Sequence, residues 1–233
     1  MSEIDLSVKR YLLPPIHPEG LRFFVLAALI TAVLTLLWMP LCVPGVILTI
    51  WTALFFRDPE RFPPENTKAI VAPADGIVCL VRQIPLPAEL DADSQPRWCV
   101  SIFMSVFNVH VNRMPITGKI IKRHYVKGKF FNASLDKASS DNERMLYLVQ
   151  RADGSQVACV QIAGLVARRI VSFAPAGSQL NRADRFGLIR FGSRVDTYLP
   201  PGVVPVVRIG QIMTAGETVL AYDQVDLENG CAD

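Results

Sequence analysis

Gly-Ser occurs three times in this chain of 233 residues, at Gly154-Ser155, Gly177-Ser178 and Gly192-Ser193. Glycine lets the backbone take turns that a side chain forbids, and a serine hydroxyl becomes a nucleophile beside a base. Context separates the three. Gly154-Ser155 follows Arg151-Ala152-Asp153, and Gly177-Ser178 follows Pro175-Ala176; both read as ordinary turns. Gly192-Ser193 instead sits between two strand-like runs, Leu188–Phe191 and Arg194–Leu199. His110 is the leading base. A strand over Val106–Arg113 would place Asn108, His110 and Asn112 on one face, with Val109 and Val111 on the other. Asp75, just before Gly76, is of the type that orients such a base. Each residue also has a plainer reading: a strand-end turn for Ser193, a satisfied structural histidine for His110, a turn aspartate for Asp75. Residue types alone leave these open.

The remaining candidates are weaker. His17 lies in Pro14-Pro15-Ile16-His17-Pro18 and reads as a linker residue, and His124 follows Lys122-Arg123 and reads as exposed. No histidine pair has metal-ligand spacing. The five cysteines, Cys42, Cys79, Cys99, Cys159 and Cys231, form no C-x-x-C pair. They read as reduced thiols of a cytosol-facing protein, and no metal centre is expected. Arg168, Arg169, Arg182, Arg185, Arg190 and Arg194 are basic enough to meet a phosphate, though a solvated face accounts for most of them.

These residues need elements to position them. Hydrophobic residues make up 51% of the chain and charged ones 19%, so the chain is apolar for a soluble protein. The excess is concentrated. Phe23 to Phe56 carries no charge and is bracketed by Arg22 and Arg57. As one straight helix it would reach roughly 51 Å, beyond a hydrocarbon core of about 30 Å. Pro40 and Pro44-Gly45 are expected to break it into an arm Phe23–Met39 and a shorter arm Val46–Phe56. A re-entrant hairpin would bring both basic ends to the cytoplasmic side; a single tilted span with an interfacial stretch is the alternative. Net charge is +3, too mild to point to nucleic acid. Arg113, Lys119, Lys122, Arg123, Lys127 and Lys129 follow one another without an acid. They read either as a solvated face or as a contact for anionic lipid.

After Phe56 the texture changes. Arg57–Pro64 is charged and proline-rich, and 57–68 reads as a linker. From Ala69 on, short β-branched runs alternate with turn signals: Ile77–Val81, Trp98–Met104, Val106–Val111, Val157–Ile162, Ile170–Phe173, Val203–Ile209 and Thr218–Tyr222. Ser134–Leu148 is read as a polar loop ending in a helical turn. Val71–Val78 and Val207–Ala221 resemble the strand-turn units of biotinyl/lipoyl-type hybrid folds, without an exposed lysine for attachment. The expected fold is mainly β (α+β): a β-sandwich/barrel hybrid-type domain over 69–233, preceded by a tail (1–22) and an apolar helical membrane hairpin (23–56).

Arg190-Phe191-Gly192-Ser193, with the strand that follows, resembles the cleavage site of phosphatidylserine decarboxylases. Phe55–Pro59, Ala72-Pro73-Ala74-Asp75-Gly76, Asn108–Pro115 and Asn132-Ala133-Ser134 are similar to further motifs of that family, in family order. The best fit is the short bacterial type, and the similarity runs from the apolar segment to Ala221.

The resemblance implies that Ser193 attacks the Gly192 carbonyl and that the resulting ester is eliminated. Hydrolysis then releases ammonia and leaves a covalent pyruvoyl cofactor at residue 193. It implies a heterodimer of the two products, 1–192 and 193–233, with any further oligomerisation open. It also implies decarboxylation of phosphatidylserine to phosphatidylethanolamine at the cytoplasmic face of the cell membrane. Longer members carry a second histidine three residues after the first, usually given the self-cleavage base role. Here that position is Arg113. The resemblance thus leaves His110 to serve decarboxylation, by protonating the carbanion, or self-cleavage, or both, and leaves the self-cleavage base as His110 or another group. The rival readings are a pyruvoyl decarboxylase acting on another serine phospholipid or an amino acid, and a non-enzymatic membrane-anchored β-sandwich module.

Overall fold

Pro18 opens the first helix, α1 (Pro18–Leu37), at a position where its missing N–H is not needed, and His17 caps it by accepting the Glu19 N–H on Nδ1 at 3.2 Å. The helix stops where Trp38 turns extended, and Pro40 sits in a 3-10 turn, Met39–Leu41. A second helix, α2, runs over Cys42–Phe55. The break is thus made at Trp38 and Pro40 alone. Pro44-Gly45, expected to share in it, lies in the first turn of α2, where backbone donors have no helical acceptor and proline is tolerated. This computed structural model describes residues 14–90, 95–128, 141–165, 169–190 and 193–223. The chain divides into two units: residues through Glu60 with Phe107–His110, and Arg61–Val106 with the chain from Val111 on.

In the helical unit, α1 and α2 pack as an antiparallel hairpin. A Cβ on Gly45 would lie 2.7 Å from Thr31 Cγ2, and Thr31 and Thr49 share a hydrogen bond at 3.1 Å between hydroxyls. Small residues allow this close approach. At the open end the His17 N–H donates to Phe56 O at 2.8 Å and the Asp58 N–H to Pro15 O at 2.7 Å. Outward-facing Leu21, Leu29, Val33, Leu36, Ile47 and Ile50 are exposed. Among the described residues α1 is the one helix long and apolar enough to cross a membrane.

The second unit is built of strands. These are β1 (Ala69–Val71), β2 (Gly76–Ile84), β3 (Arg97–Met104), β4 (Val111–Arg113), β5 (Gly118–Val126), β6 (Arg144–Gln150) and β7 (Gln156–Ala163). They continue with β8 (Arg169–Ser172), β9 (Gln179–Leu180), β10 (Arg185–Arg190), β11 (Ser193–Tyr198), β12 (Ile212–Met213) and β13 (Val219–Tyr222). An eight-stranded sheet has the order β12-β2-β3-β11-β7-β6-β5-β9; β4-β10-β8 and β1-β13 form two smaller sheets. The chain is therefore mainly β with an apolar helical N-terminal segment. The two hybrid-type strand-turn pieces pair with each other, β1 on β13 and β2 on β12.

β6, β7 and β11 are buried on both faces, which is why their sequences run apolar without clear alternation. One core lies against Ile102, Met104, Ala163 and Val195, the other against Leu146, Val160, Ile162 and Tyr198.

Three expectations change. Of Ser134–Leu148, residues 134–140 lie outside the described part, and the run Arg144–Gln150 is strand β6 rather than a helical turn: an apolar run covered on both faces has no period to distinguish it. The strand over Val106–Arg113 exists only as Val111–Arg113, because 106–108 turn. Val203–Ile209 forms a single bridge, Pro205 to Ala221, since Pro200, Pro201 and Pro205 remove ladder donors.

Candidate active site

Three neighbouring strands of the large sheet continue into three neighbouring strands of a smaller one. β3 leads to β4, β7 to β8, and β11 follows β10; the orders β3-β11-β7 and β4-β10-β8 correspond. Ser193 is the first residue of β11, the middle one of the three strands β3-β11-β7, paired with Met104 of β3 and Ala163 of β7. Gly192, the expected cleavage partner, lies outside the described residues.

Ser193 is fully buried. Its hydroxyl donates to Met104 Sδ at 3.3 Å, and a thioether is a weak acceptor. Among the described residues no stronger acceptor holds that proton. Asp75 immediately precedes β2, at the same end of the sheet. It accepts from Arg61 Nη2 at 2.7 Å and from the Ala215 N–H at 2.7 Å. Those bonds tie the Thr214–Gly216 turn to the start of β2. Gly76 beside it packs on the Phe103 carbonyl, leaving no room for a side chain.

His110 belongs to the helical unit. It is buried, its ring stacks on Phe55 at 4.1 Å, and Nδ1 lies 2.9 Å from Asn108 O. A carbonyl only accepts, so Nδ1 carries the proton and Nε2 is a bare lone pair. Nε2 has no hydrogen-bond partner among the described residues. Burial lowers the imidazole pKa to about 4; the Asn108 carbonyl opposes this and Arg57 adds to it. At neutral pH the ring is therefore a neutral base. Of the three sequence candidates, Asp75 and Ser193 share the sheet unit, while His110 sits with the helices.

The other histidines and the arginines are now placed. His17 caps α1, and His124 is exposed on β5. Arg194 departs from the solvated reading. With 1% of its side chain exposed, it forks onto Asp196 at 2.6 and 2.9 Å, on the face of β11 opposite Ser193. Burial opposes its charge, but the bonds and charge of Asp196 outweigh that and raise its pKa. Arg113 is also buried, donating to Ala183 O at 2.9 Å, and so leaves the basic strip. Lys129 and Arg168 lie outside the described residues. No group of three His, Cys, Asp or Glu side chains among the described residues would hold a metal ion.

The sequence did not single out Gln161 or Met104. Gln161 Nε2 donates to Asn112 Oδ1 at 2.7 Å, and both side chains are fully buried. The available signal was one glutamine inside the apolar run Val157–Ile162.

Comparison with known proteins shows the family. The family model for phosphatidylserine decarboxylase matches residues 48–221, which include Asp75, His110 and Ser193. A phosphatidylserine decarboxylase proenzyme of Ruegeria pomeroyi is 56% identical over 93% of this chain and 99% of its own length. Proenzymes of the same name from Paramagnetospirillum magneticum and Cereibacter sphaeroides are 53% and 55% identical. They match 93% and 89% of this chain, and 90% and 89% of their own lengths. The chain belongs to the phosphatidylserine decarboxylase family.

Proposed function

We propose that this chain is a proenzyme that cuts itself between Gly192 and Ser193 and then, as a carboxy-lyase, converts phosphatidylserine to phosphatidylethanolamine. The observation that carries this reading is the buried Ser193 hydroxyl at the start of β11, resting on a thioether, in a chain that matches proenzymes along nearly its whole length.

Self-cleavage uses the chain's own groups. The Ser193 Oγ proton passes to a base, for which His110 Nε2 is the candidate. Oγ bonds to the Gly192 carbonyl carbon, and the Gly192–Ser193 C–N bond breaks as the nitrogen takes a proton. The link is now an ester. Removal of the Ser193 Cα proton expels the Gly192 carboxylate and leaves a dehydroalanine. Water then replaces its nitrogen, which leaves as ammonia. Residue 193 ends as a pyruvoyl group, whose conjugated carbonyls supply an electron sink for the pair released with carbon dioxide. The site suits that change. The hydroxyl gives way to a methyl group, beside the Met104 thioether and in register with Ala163. Asp75 and Arg61 keep the Thr214–Gly216 turn fixed at that end of the sheet.

Membrane attachment belongs to the same reading. α1 is long enough to reach across a hydrocarbon core, whereas α2, with 14 residues, spans roughly 21 Å. The hairpin therefore enters the bilayer without delivering its second arm to the far side. Arg22 and Arg57 mark its open end, which the charge rule assigns to the cytoplasm. Lys119, Lys122, Arg123 and Lys127 on and just after β5 are the basic residues left to meet anionic headgroups.

Intact mass measurement of the purified full chain tests the proposal. Two chains, 1–192 and 193–233, with a carbonyl-blocked terminus at 193 and release of carbon dioxide from phosphatidylserine vesicles are expected. One uncut chain with an unmodified Ser193 that still turns over lipid would overturn the proposal. Deletion of residues 1–56 should move the remaining chain out of the membrane pellet; unchanged pelleting would refute attachment by the hairpin.

A further inference from the structure

Three buried side chains beside Ser193 take no part in the bond changes above: Met104, Asn112 and Gln161. Gln161 on β7 pairs with Val195 of β11, so it lies on the same face of the sheet as Ser193, one pleat away. Its Nε2 donates to Asn112 Oδ1 at 2.7 Å. That bond turns the other end of the Asn112 amide toward Met104, with Nδ2 at 3.6 Å from Sδ. The Ser193 hydroxyl donates to the same sulfur at 3.3 Å. Gly187 backs the glutamine: a Cβ there would lie 2.7 Å from Gln161 Nε2. Gln161 Oε1 is buried with no hydrogen-bond partner among the described residues.

This is a costly way to fill a core. Two buried amides lose more on desolvation than two leucines of similar volume, and one carbonyl oxygen recovers none of that loss. A methionine alone is a poor holder of a hydroxyl, since its side chain has three rotatable bonds and its sulfur accepts weakly. Held from the far side by Asn112, the sulfur acquires one position. A weak acceptor in a fixed position orients the serine hydroxyl without competing for its proton.

We propose that Gln161 and Asn112 are positioning residues for self-cleavage. They fix the Met104 sulfur, and the sulfur sets the rotamer of Ser193 before attack. The proposal rests on the self-cleavage reading above. The order of action is Gln161 on Asn112, Asn112 on Met104, Met104 on Ser193.

The experiment follows cutting of the full-length chain made by cell-free translation into phospholipid vesicles, sampled over time on a gel. N112L, Q161L and M104L should each be cut about tenfold more slowly, roughly one hydrogen bond's worth of orientation. The N112L/Q161L double variant should be no slower than N112L, because the two act in series. The pH at which cutting is half-maximal should not move, since no base is altered. Folding is judged from thermal melts of the same substitutions placed in an S193A chain, where cutting cannot confuse the comparison. Should N112L fail to melt cooperatively, N112A takes its place. Wild-type rates in N112L and Q161L would overturn the proposal. So would independent, multiplying losses that track the fall in melting temperature, which mark a merely structural role. A wild-type chain that is never cut would sink the self-cleavage reading and this proposal together.

Discussion

On one face of β11, Arg194 and Asp196 close a two-bond fork at 2.6 and 2.9 Å; on the other, Ser193 rests its hydroxyl on a thioether 3.3 Å away. All three residues are buried, and they are adjacent or nearly so in sequence. Burial therefore does not separate them; completeness of hydrogen bonding does. The ion pair is satisfied within the strand and anchors it. The serine hydroxyl, among the described residues, has only a weak thioether acceptor. His110 follows the serine's pattern in the helical unit, with one ring nitrogen bonded and the other left open. The contrast is local to β11 and His110: the strand's buried ion pair has a strong two-bond contact, whereas the Ser193 hydroxyl has a thioether and the His110 ring one bonded nitrogen.

The largest way to break this contrast is S193A. Cutting and lipid decarboxylation should both vanish, while unfolding in detergent changes by no more than about 1 kcal/mol, because only a weak hydroxyl–sulfur bond is lost. A large loss of stability would show that the serine is also an anchor. The opposite change is D196A. Leaving Arg194 buried without its partner should cost about 3–5 kcal/mol, read from denaturant midpoints in the uncut S193A background. Replacing both, R194L/D196L, should recover most of that loss, since neither charge then remains unpaired. If the double variant is as unstable as the single, the fork is not the reason for the loss.

His110 sharpens the contrast through pH. Its folded pKa is about 4, below the ordinary histidine value of 6.5. Between those values the unfolded chain takes up a proton that the folded chain refuses. Stability is therefore full above pH 6.5 and falls as pH drops toward 4, by roughly 3 kcal/mol in all. H110Q should flatten that slope in urea titrations run at several pH values. If Nε2 is the self-cleavage base, the cutting rate should stay level from pH 8 to about 5 and fall only near 4. An inflection near 6.5 would assign the proton transfer to some other group or to an exposed ring.

How much of this was legible in the sequence follows from the same physics. Ser193 stood out because its Gly-Ser is the one without turn residues before it. Strands β2, β3, β7, β8 and β13 were visible because β-branched runs bounded by turn signals have few other ways to fold. β6 was not: Met145 to Val149 is covered on both faces, so no alternation marks it. The face shared by Asn108, His110 and Asn112 was read from a strand that begins only at Val111. The chain leaves the sheet after Met104, and Phe107–His110 groups with the helices. Asn112 remains in the sheet unit, where its amide meets Gln161. The Arg194–Asp196 fork was hidden because an i, i+2 pair on a strand reads the same whether the face is wet or dry. Only the sheet order, which buries that face, tells which.

The smallest effect concerns the hairpin and extends the contrast to the helical unit. The Thr31 and Thr49 hydroxyls lie 3.1 Å apart across the helix crossing, and each also lies within hydrogen-bond distance of a carbonyl one turn back on its own helix; with two protons for three contacts, a hydroxyl that donates across the crossing gives up its own carbonyl. Neither oxygen is left open if its partner is removed, because the local carbonyl still takes its proton. T49A should therefore cost only about 0.6 kcal/mol, the size usual for a polar contact between membrane helices. G45L should cost more, since its side chain would be driven into Thr31 and the helices must part. Comparing the two by urea titration of the detergent-solubilised S193A chain separates hydrogen bonding from close packing. If T49A proves the worse of the two, the hairpin is held by its polar contact, and satisfaction rather than shape governs the helices as well as the sheet.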